Sequence, residues 1–144
     1  MRIGVTCYPT VGGSGVVATE LGLEMARRGH DVHFICYSLP YRLGRVPPGV
    51  TFHEVTVPTY PLFQHPPYSL ALASEMADAV RNHGLDLLHV HYAIPHAVSA
   101  YLAREILGGA PKLVVTLHGT DITVVGADPS FLPIVKLAID RADV

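Results

Sequence analysis

The sequence predicts an α/β fold, a Rossmann-like parallel sheet with helices on both faces. Short apolar runs alternate with amphipathic stretches of helical length along most of the chain, and this alternation is typical of right-handed β-α-β crossovers. The first apolar run also passes through a glycine-rich loop directly into a helix pattern. Hydrophobic residues make up 49% of the chain and charged residues only 15%, a composition that suits strands buried on both faces.

The predicted elements follow one another in regular order. Strand patterns cover residues 2–8, 31–37, 51–57, 85–91 and 112–118. Helix patterns cover residues 15–28, 68–83, 96–107 and 128–140. The first helix places Val17, Leu21 and Met25 on one apolar face, which we expect to pack against the sheet. Asp128 and Pro129 predict an N-cap followed by a first-turn proline in the last helix.

Composition and charge exclude several classes of protein. The 144 residues are enough for one domain, and a formal net charge of −2 without a basic block argues against a nucleic-acid partner. No apolar run approaches about 18 residues, so no membrane partner is indicated. The N-terminus enters a strand rather than a cleavable signal, so we expect a cytoplasmic protein in which Cys7 and Cys36 are buried free thiols. Residues 141–144 resemble the start of a further strand, so residues 1–144 are expected to be the N-terminal domain of a longer protein.

The glycine-rich loop after the first strand is a candidate anion site. Gly12, Gly13 and Ser14 precede the first helix, whose N-terminal N–H groups carry a partial positive charge. Glycines lack a Cβ and let a phosphate come close to those groups. The spacing matches neither G-x-G-x-x-G nor a P-loop. From the loop alone, a tight turn that needs glycine only for its backbone angles is an equal alternative.

The densest polar cluster begins at the end of the fourth predicted strand. His89 and His91 are two residues apart, so their side chains share one face of the sheet. A pair of imidazoles at a strand end can ligate a metal, with His96 or Asp121 as the third ligand. Hydrogen-bonded histidines at the edge of a crevice are the favoured interpretation, because short motifs produce many false matches.

A second polar segment begins at the end of the fifth predicted strand. His118, Thr120 and Asp121 lie at its carboxyl end, and open α/β sheets bind ligands beyond the carboxyl ends of their strands. These residues should therefore share a rim with Ser14 and Tyr92. His118 and Thr120 are candidates to bind a ligand. For Asp121 the alternative is a turn in which its carboxylate caps backbone N–H groups and the preceding Gly119 supplies a positive φ.

Several segments together carry a family resemblance. They are GVTCYPTVGGSG at residues 4–15, FHEV at 52–55, PPY at 66–68, HVHYAIPHA at 89–97 and LHGTDIT at 117–123. In this order they resemble the N-terminal domain of the retaining glycosyltransferases of family 4, which have the two-domain GT-B fold. The resemblance spans nearly the whole chain, whereas the glycine-rich loop alone would indicate only the broad superfamily.

The resemblance implies an activity: transfer of N-acetylglucosamine from UDP-N-acetylglucosamine to L-malate in bacillithiol biosynthesis, without metal or cofactor. It implies that the N–H groups of Gly12, Gly13 and Ser14 face the donor diphosphate. His118 matches the catalytic-site histidine that contacts the donor sugar, and Tyr92, Thr120 and Ser14 are candidates to bind malate. The family's glutamate motif and basic diphosphate-binding residues belong to a C-terminal domain. The chain alone is therefore expected to be inactive, and a homodimer is left open.

Other functions stay open at this point. A family member could use another sugar, a lipid or inositol phosphate as acceptor, although only Arg42 and Arg45 are available in the predicted rim loops to bind a phosphate. A metal-dependent hydrolase would use His89 and His91. A non-catalytic nucleotide-binding or assembly module would need a self-contained fold.

Overall fold

The computed structural model describes residues 1–144 and contains a five-stranded parallel sheet. The strands are β1 (Arg2–Thr6), β2 (Asp31–Cys36), β3 (Val50–Glu54), β4 (Leu87–His91) and β5 (Lys112–Thr116). The helices are α1 (Gly13–Arg27), α2 (Tyr68–His83), α3 (Val98–Ile106) and α4 (Leu132–Asp140). Short helical turns lie at Tyr41–Leu43, Ala93–Ala97 and Asp121–Val125. The predicted Rossmann-like fold is confirmed, although most strands end two or three residues earlier than predicted.

The strand order β3-β2-β1-β4-β5 places β1 at the centre of the sheet. The chain builds outward from β1 through β2 to β3 and then returns to the other side of β1 for β4 and β5. The direction of winding therefore reverses between β1 and β4. In open α/β sheets this switch point opens a crevice at the carboxyl ends of the strands, and the fold thus positions a binding site before any side chain is considered.

Two hydrophobic cores lie on opposite faces of the sheet. One core contains Ala18 of α1 together with buried side chains of β1 and β2, including Val5 and Phe34. The other contains buried residues of α2, α3 and α4, among them Leu72 and Met76, packed on the alternate side chains of the strands. Helices therefore cover both faces, as predicted, because side chains alternate between the faces along each strand.

Helix α1 packs on the sheet through a different face from the one predicted. Of the three residues of the predicted face, Val17 and Leu21 are exposed and only Met25 packs, partly buried, against the core. The fully buried positions of α1 are Gly15, Ala18, Thr19 and Gly22. The Phe34 ring on β2 explains this, because a Cβ on Gly22 would lie only 2.5 Å from a ring carbon. Small residues let the helix approach the aromatic ring, and this contact outweighs the burial of the larger side chains.

The start of α4 also differs from the prediction. The helix begins at Leu132 and has a proline in its first turn, whereas Asp128 was predicted to be its N-cap. The Asp128 carboxylate instead accepts hydrogen bonds from the backbone N–H and the hydroxyl of Ser130, at 2.8 and 2.6 Å. Asp128 therefore stabilises a turn before the helix.

Other features of the fold bear on the sequence expectations. Cys7 and Cys36 are buried free thiols, as predicted, and the hydrogen bond between them and their burial raise the pKa of the Cys7 thiol. Asp143 and Val144 hydrogen bond to Leu113 and Val115 of β5 in the manner of an added strand. No helix has the length and apolar character needed to cross a membrane.

Candidate functional site

The site is a cleft at the switch point of the sheet, built by the segments that follow β1, β4 and β5. Its volume is about 480 Å³, against about 180 Å³ for each of two other pockets. The residues that line it are Gly13, Ser14, Val17, Tyr92, His118 and Thr120. Five of the six site residues predicted from the sequence thus meet in one cleft. The exception is Gly12, whose carbonyl accepts the first hydrogen bond of α1 from Val16, at 3.0 Å. Their binding roles stay predictions.

The N-terminus of α1 supplies backbone donors to this cleft. No side chain caps the helix, and its first internal hydrogen bond is donated by Val16. The N–H groups of Gly13, Ser14 and Gly15 therefore have no acceptor within the helix. Since a Cβ on Gly13 would meet nothing within 4 Å, the space beside its backbone is open. These donors, with the helix dipole, suit an anionic group.

Tyr92 forms the opposite wall in an unusual conformation. Its φ of 93° is the only positive φ at a non-glycine residue, and such a conformation costs roughly 1–3 kcal/mol and is concentrated at functional sites. The Tyr92 hydroxyl hydrogen bonds with the Thr120 hydroxyl. The Tyr92 ring stacks on His118 with 6.0 Å between centroids, and Tyr8 packs edge-on against it at 5.3 Å. Two hydroxyl groups are thus held side by side at the rim.

Asp121 joins the two loops that carry these groups. Its side chain is fully buried, and its carboxylate accepts hydrogen bonds from the backbone N–H groups of Ala93, at 3.2 Å, and His118, at 3.0 Å. Gly119, between His118 and Asp121 in the chain, has a φ of 91°. The alternative interpretation of Asp121 as a structural turn residue is therefore confirmed. Asp121 does not line the cleft. Its carboxylate links the backbone of the loop that contains Tyr92 to that of the loop that contains His118.

Four histidines are connected beneath the cleft. His89 and His91 stack on one face, with 4.6 Å between centroids, as their spacing predicted. His91 Nδ1 lies 3.0 Å from His118 Nε2 in a hydrogen bond, and His89 Nε2 lies 2.8 Å from the Thr116 hydroxyl. His96 donates from Nδ1 to the His91 carbonyl, at 2.6 Å. His91 thus fixes the orientation of the His118 ring and leaves His118 Nδ1 for a ligand.

The buried histidines beneath the cleft are neutral at physiological pH. Burial, with smaller contributions from neighbouring histidines, lowers the pKa of His91 to about 3. Burial also lowers the pKa of His96 to about 4, and it lowers the pKa of His89. No lysine or arginine lines the cleft. An anion in this cleft would therefore meet N–H and O–H donors rather than positive side chains.

The predicted metal set does not converge. His96 and Asp121, the two candidate third ligands, are engaged with backbone groups. The group of three side chains that could hold a metal ion lies elsewhere and consists of His33, His53 and His83. The hydrolase alternative therefore loses the ligand set on which it depended. The rim arginine Arg42 is also paired, at 3.0 Å from Glu20.

We expect the buried histidines to make the protein less stable in mild acid. The pKa of each imidazole is about 6.5 in the unfolded chain, while the pKa of His91 is about 3 and that of His96 about 4 in the folded chain. Between these values the unfolded chain binds more protons, so the free energy of unfolding falls as pH falls. The expected slope is about 1.4 kcal/mol per pH unit for each histidine, and it vanishes above about pH 7.

Urea unfolding at pH 7.5, 6.0 and 5.0 measures this dependence. His96→Gln should reduce the slope of the free energy of unfolding against pH by the contribution of one histidine. The control His65→Gln, at an exposed position, should leave that slope unchanged. Equal slopes in the two variants would contradict the assignment.

Sequence reasoning missed three contributors to the site. Val17 was assigned to the core but lines the cleft, and Tyr8 reaches the site by packing against Tyr92 and His96. The positive φ of Tyr92 has no signal in the sequence, because glycine or asparagine is the usual residue there. The position of Tyr8 just after β1, beside the glycine-rich loop, is the signal by which it could have been found.

Fold and cleft together are typical of α/β domains that bind an anionic ligand at a helix N-terminus. The sequence model of Glycosyltransferase Family 4 matches residues 11–144, and the chain therefore belongs to glycosyltransferase family 4. The whole chain is 58% identical, over 144 residues, to N-acetyl-alpha-D-glucosaminyl L-malate synthase of Bacillus anthracis.

The chain spans 38% of the length of that relative. Among solved structures, it resembles a sucrose-phosphate synthase from Thermosynechococcus elongatus with a TM-score of 0.61 and 17% sequence identity. The similarity covers 99% of this chain and 41% of the other. At this identity the likeness concerns the fold alone, and it agrees with a Rossmann-like half of a GT-B glycosyltransferase.

Proposed function

We propose that the chain is the acceptor-side domain of a retaining glycosyltransferase that transfers N-acetylglucosamine from UDP-N-acetylglucosamine to the hydroxyl of L-malate. The observation that carries the proposal is the cleft in which Gly13 and Ser14, at the N-terminus of α1, face Tyr92, His118 and Thr120. The name of the 58% identical relative supports these substrates, and the family match supports the reaction class.

The donor diphosphate would lie against the N-terminus of α1. Its oxygens would accept hydrogen bonds from the N–H groups of Gly13 and Ser14, which line the cleft, and the helix dipole would favour their charge. Since no cationic side chain lines the cleft, the remaining charge needs a partner from outside this chain. We infer that a second domain of a longer protein supplies it, and we expect residues 1–144 alone to bind the nucleotide sugar weakly and to be inactive.

His118 would contact the donor sugar. Its Nε2 is bound to His91 Nδ1, so the orientation of the ring is set before substrate arrives and Nδ1 is the atom that can reach a sugar hydroxyl. Such preorganisation lowers the cost of ordering the transition state. His118 thus positions the anomeric carbon rather than forming a covalent bond with it.

The malate carboxylates would be bound by hydroxyl groups. Tyr92 and Thr120 present two adjacent hydroxyls, and Ser14 lies across the cleft in the same lining. In the proposed step the malate hydroxyl oxygen bonds to the anomeric carbon, the bond from that carbon to the UDP oxygen breaks on the same face, and the hydroxyl proton passes to the departing phosphate. The configuration at the anomeric carbon is thereby retained.

The cellular setting of the proposal is bacillithiol biosynthesis in the cytoplasm. The two neighbouring thiols of Cys7 and Cys36 are free, which suits a reducing compartment.

The experiment is an assay of UDP release from UDP-N-acetylglucosamine by the chain extended through its full reading frame, with and without L-malate. We expect malate-dependent release, lowered about 100-fold or more in kcat by His118→Ala, the usual effect of removing one preorganised hydrogen-bonding group. Thr120→Val should raise the KM for malate by roughly 10-fold, the effect of losing one hydrogen bond to a charged group. Thr59→Val, at an exposed threonine that does not line the cleft, is the matched control. UDP release with another acceptor only would refute malate as the acceptor but preserve UDP-N-acetylglucosamine as the donor. No UDP release with any acceptor would refute the transferase activity.

A further inference from the structure

Three histidines meet on the sheet face that α2 covers, away from the cleft. His33 lies on β2, His53 on β3, and His83 is the last residue of α2. The register pairs His33 with Thr51 and Ile35 with His53, so both strand histidines project from the same face of the sheet. The β3–α2–β4 crossover then ends α2 above them. Nothing in the proposed transfer reaction uses this cluster.

The cluster has the dimensions of a metal site. His33 Nδ1 lies 2.9 Å from His53 Nε2, and one nitrogen from each of the three rings lies within 4.8 Å of the others. Tetrahedral Zn²⁺ with Zn–N bonds of about 2.0–2.1 Å separates its nitrogen ligands by about 3.4 Å. The nitrogens His33 Nδ1 and His53 Nε2 would therefore move apart by about half an ångström to accommodate the ion. His83 would move inward, and its exposed position at a helix end permits that movement.

Carboxylates stand behind both strand imidazoles. Asp31 Oδ2 lies 3.3 Å from His33 Nε2, and Glu75 Oε1 lies 3.9 Å from His53 Nδ1. In each case the carboxylate faces the nitrogen that points away from the centre of the cluster. A carboxylate behind a ligating imidazole fixes its tautomer and raises its basicity at metal sites. Each strand histidine thus has a carboxylate on the side where the outer partner of a metal ligand would lie, and metal binding would have to draw the two groups together.

One buried atom indicates that the present hydrogen bonding is incomplete. His33 is 2% exposed, and its Nε2 has no hydrogen-bond partner because the nearby Asp31 carboxylate lacks the required geometry. A buried polar atom without a partner is costly. A cation at the centre of the cluster would deprotonate Nδ1, place the proton on Nε2 and strengthen its attraction to Asp31.

We propose that His33 Nδ1, His53 Nε2 and a ring nitrogen of His83 form a binding site for a divalent transition-metal ion, with Zn²⁺ as the best-fitting ion and water in the fourth position. An all-imidazole set suits Zn²⁺ and its neighbours rather than Mg²⁺ or Ca²⁺, which prefer oxygen. The ion links β2, β3 and the end of α2, so its role is to stabilise this edge of the fold. This proposal is independent of the transferase proposal.

The test is titration of the purified, metal-free chain with Zn²⁺ against a chromophoric chelator, together with visible absorption of the Co²⁺-loaded chain. We expect one equivalent of Zn²⁺, a tetrahedral Co²⁺ spectrum and a Tm that rises with Zn²⁺ concentration. His83→Gln should weaken binding by at least about 10-fold, the smallest loss typical of removing even an outer partner of a ligand. The exposed His65→Gln is the matched control and should bind as the parent chain does.

Two further variants separate this cluster from other sources of affinity. Glu75→Gln should weaken Zn²⁺ binding about 10-fold while preserving the stoichiometry, a change that a purely structural glutamate would not cause. His118→Asn removes an imidazole from the cleft and should leave the Zn²⁺ affinity unchanged. The proposal is overturned if no Zn²⁺ binds at 100-fold excess, if His83→Gln binds like the parent chain, or if His118→Asn abolishes binding.

Discussion

Replacing Gly15 with alanine is expected to destabilise the fold by about 3 kcal/mol, at the upper end of the usual cost of overpacking. Gly15 is buried at the junction of β1, the glycine-rich loop and α1. A Cβ there would lie 2.3 Å from the Tyr8 carbonyl oxygen and 3.0 Å from that of Thr10. Both atoms belong to the backbone, so no side-chain rotation can relieve the contact. The loop must move, and the N–H donors of Gly13 and Ser14 move with it.

Gly13→Ala is the matched control for this prediction. A Cβ on Gly13 would have no atom within 4 Å, and alanine is better than glycine inside a helix by roughly 0.5–1 kcal/mol. Gly13→Ala should therefore preserve or slightly raise the free energy of unfolding while obstructing an anion at the helix N-terminus. Urea unfolding of both variants measures the difference, and a Gly15→Ala variant as stable as Gly13→Ala would show that the close approach is not required.

Replacing Asp121 with alanine is expected to cost about 3–4 kcal/mol of stability and to disorganise the cleft. The buried carboxylate is the acceptor for the N–H groups of Ala93 and His118, and each buried donor left without an acceptor costs about 1–3 kcal/mol. Asp121→Asn should be intermediate, because its amide oxygen can accept from one N–H while its NH₂ faces the other. The two loops would separate, and the contact between Tyr92 and His118 would loosen.

Asp128→Ala is the matched control, since the Asp128 carboxylate also accepts from a backbone N–H but is exposed to water, which can replace it. We expect it to change stability little. Urea unfolding gives the stability order, and hydrogen exchange should show the amides of Ala93 and His118 losing protection in Asp121→Ala only. Equal stability of the Asp121 and Asp128 variants would contradict the bridging role.

The errors in the sequence-based prediction have a common cause. Hydrophobicity alone placed Val17 and Leu21 in the core, yet the Phe34 ring selects Gly22 and Ala18 as the contact face of α1. In the same way, aspartate is a preferred N-cap residue, but the Asp128 carboxylate accepts a hydrogen bond from Ser130 within a turn. Local propensity is a weak preference that tertiary contacts override.

Much of the candidate site followed from the sequence because it lies at strand ends. Gly13 and Tyr92 come after predicted strands and His118 ends one, and parallel strands bring their carboxyl ends to one edge. The His33, His53 and His83 cluster did not follow, because its convergence depends on the register of β2 with β3 and on where α2 ends. The hydrophobic periodicity of the sequence specifies neither the strand register nor the end of the helix.

The sequence by itself determined the α/β alternation, the helix after the glycine-rich loop and the edge at which a ligand would bind. These depend on residues close together in the chain, whose hydrophobic period and backbone preferences act locally. Only the tertiary structure decided the strand order, the hydrogen bond that orients His118 on His91, and the strained backbone of Tyr92. The physical reason is that such contacts join residues distant in the chain, and their geometry is set by strand register and helix packing together.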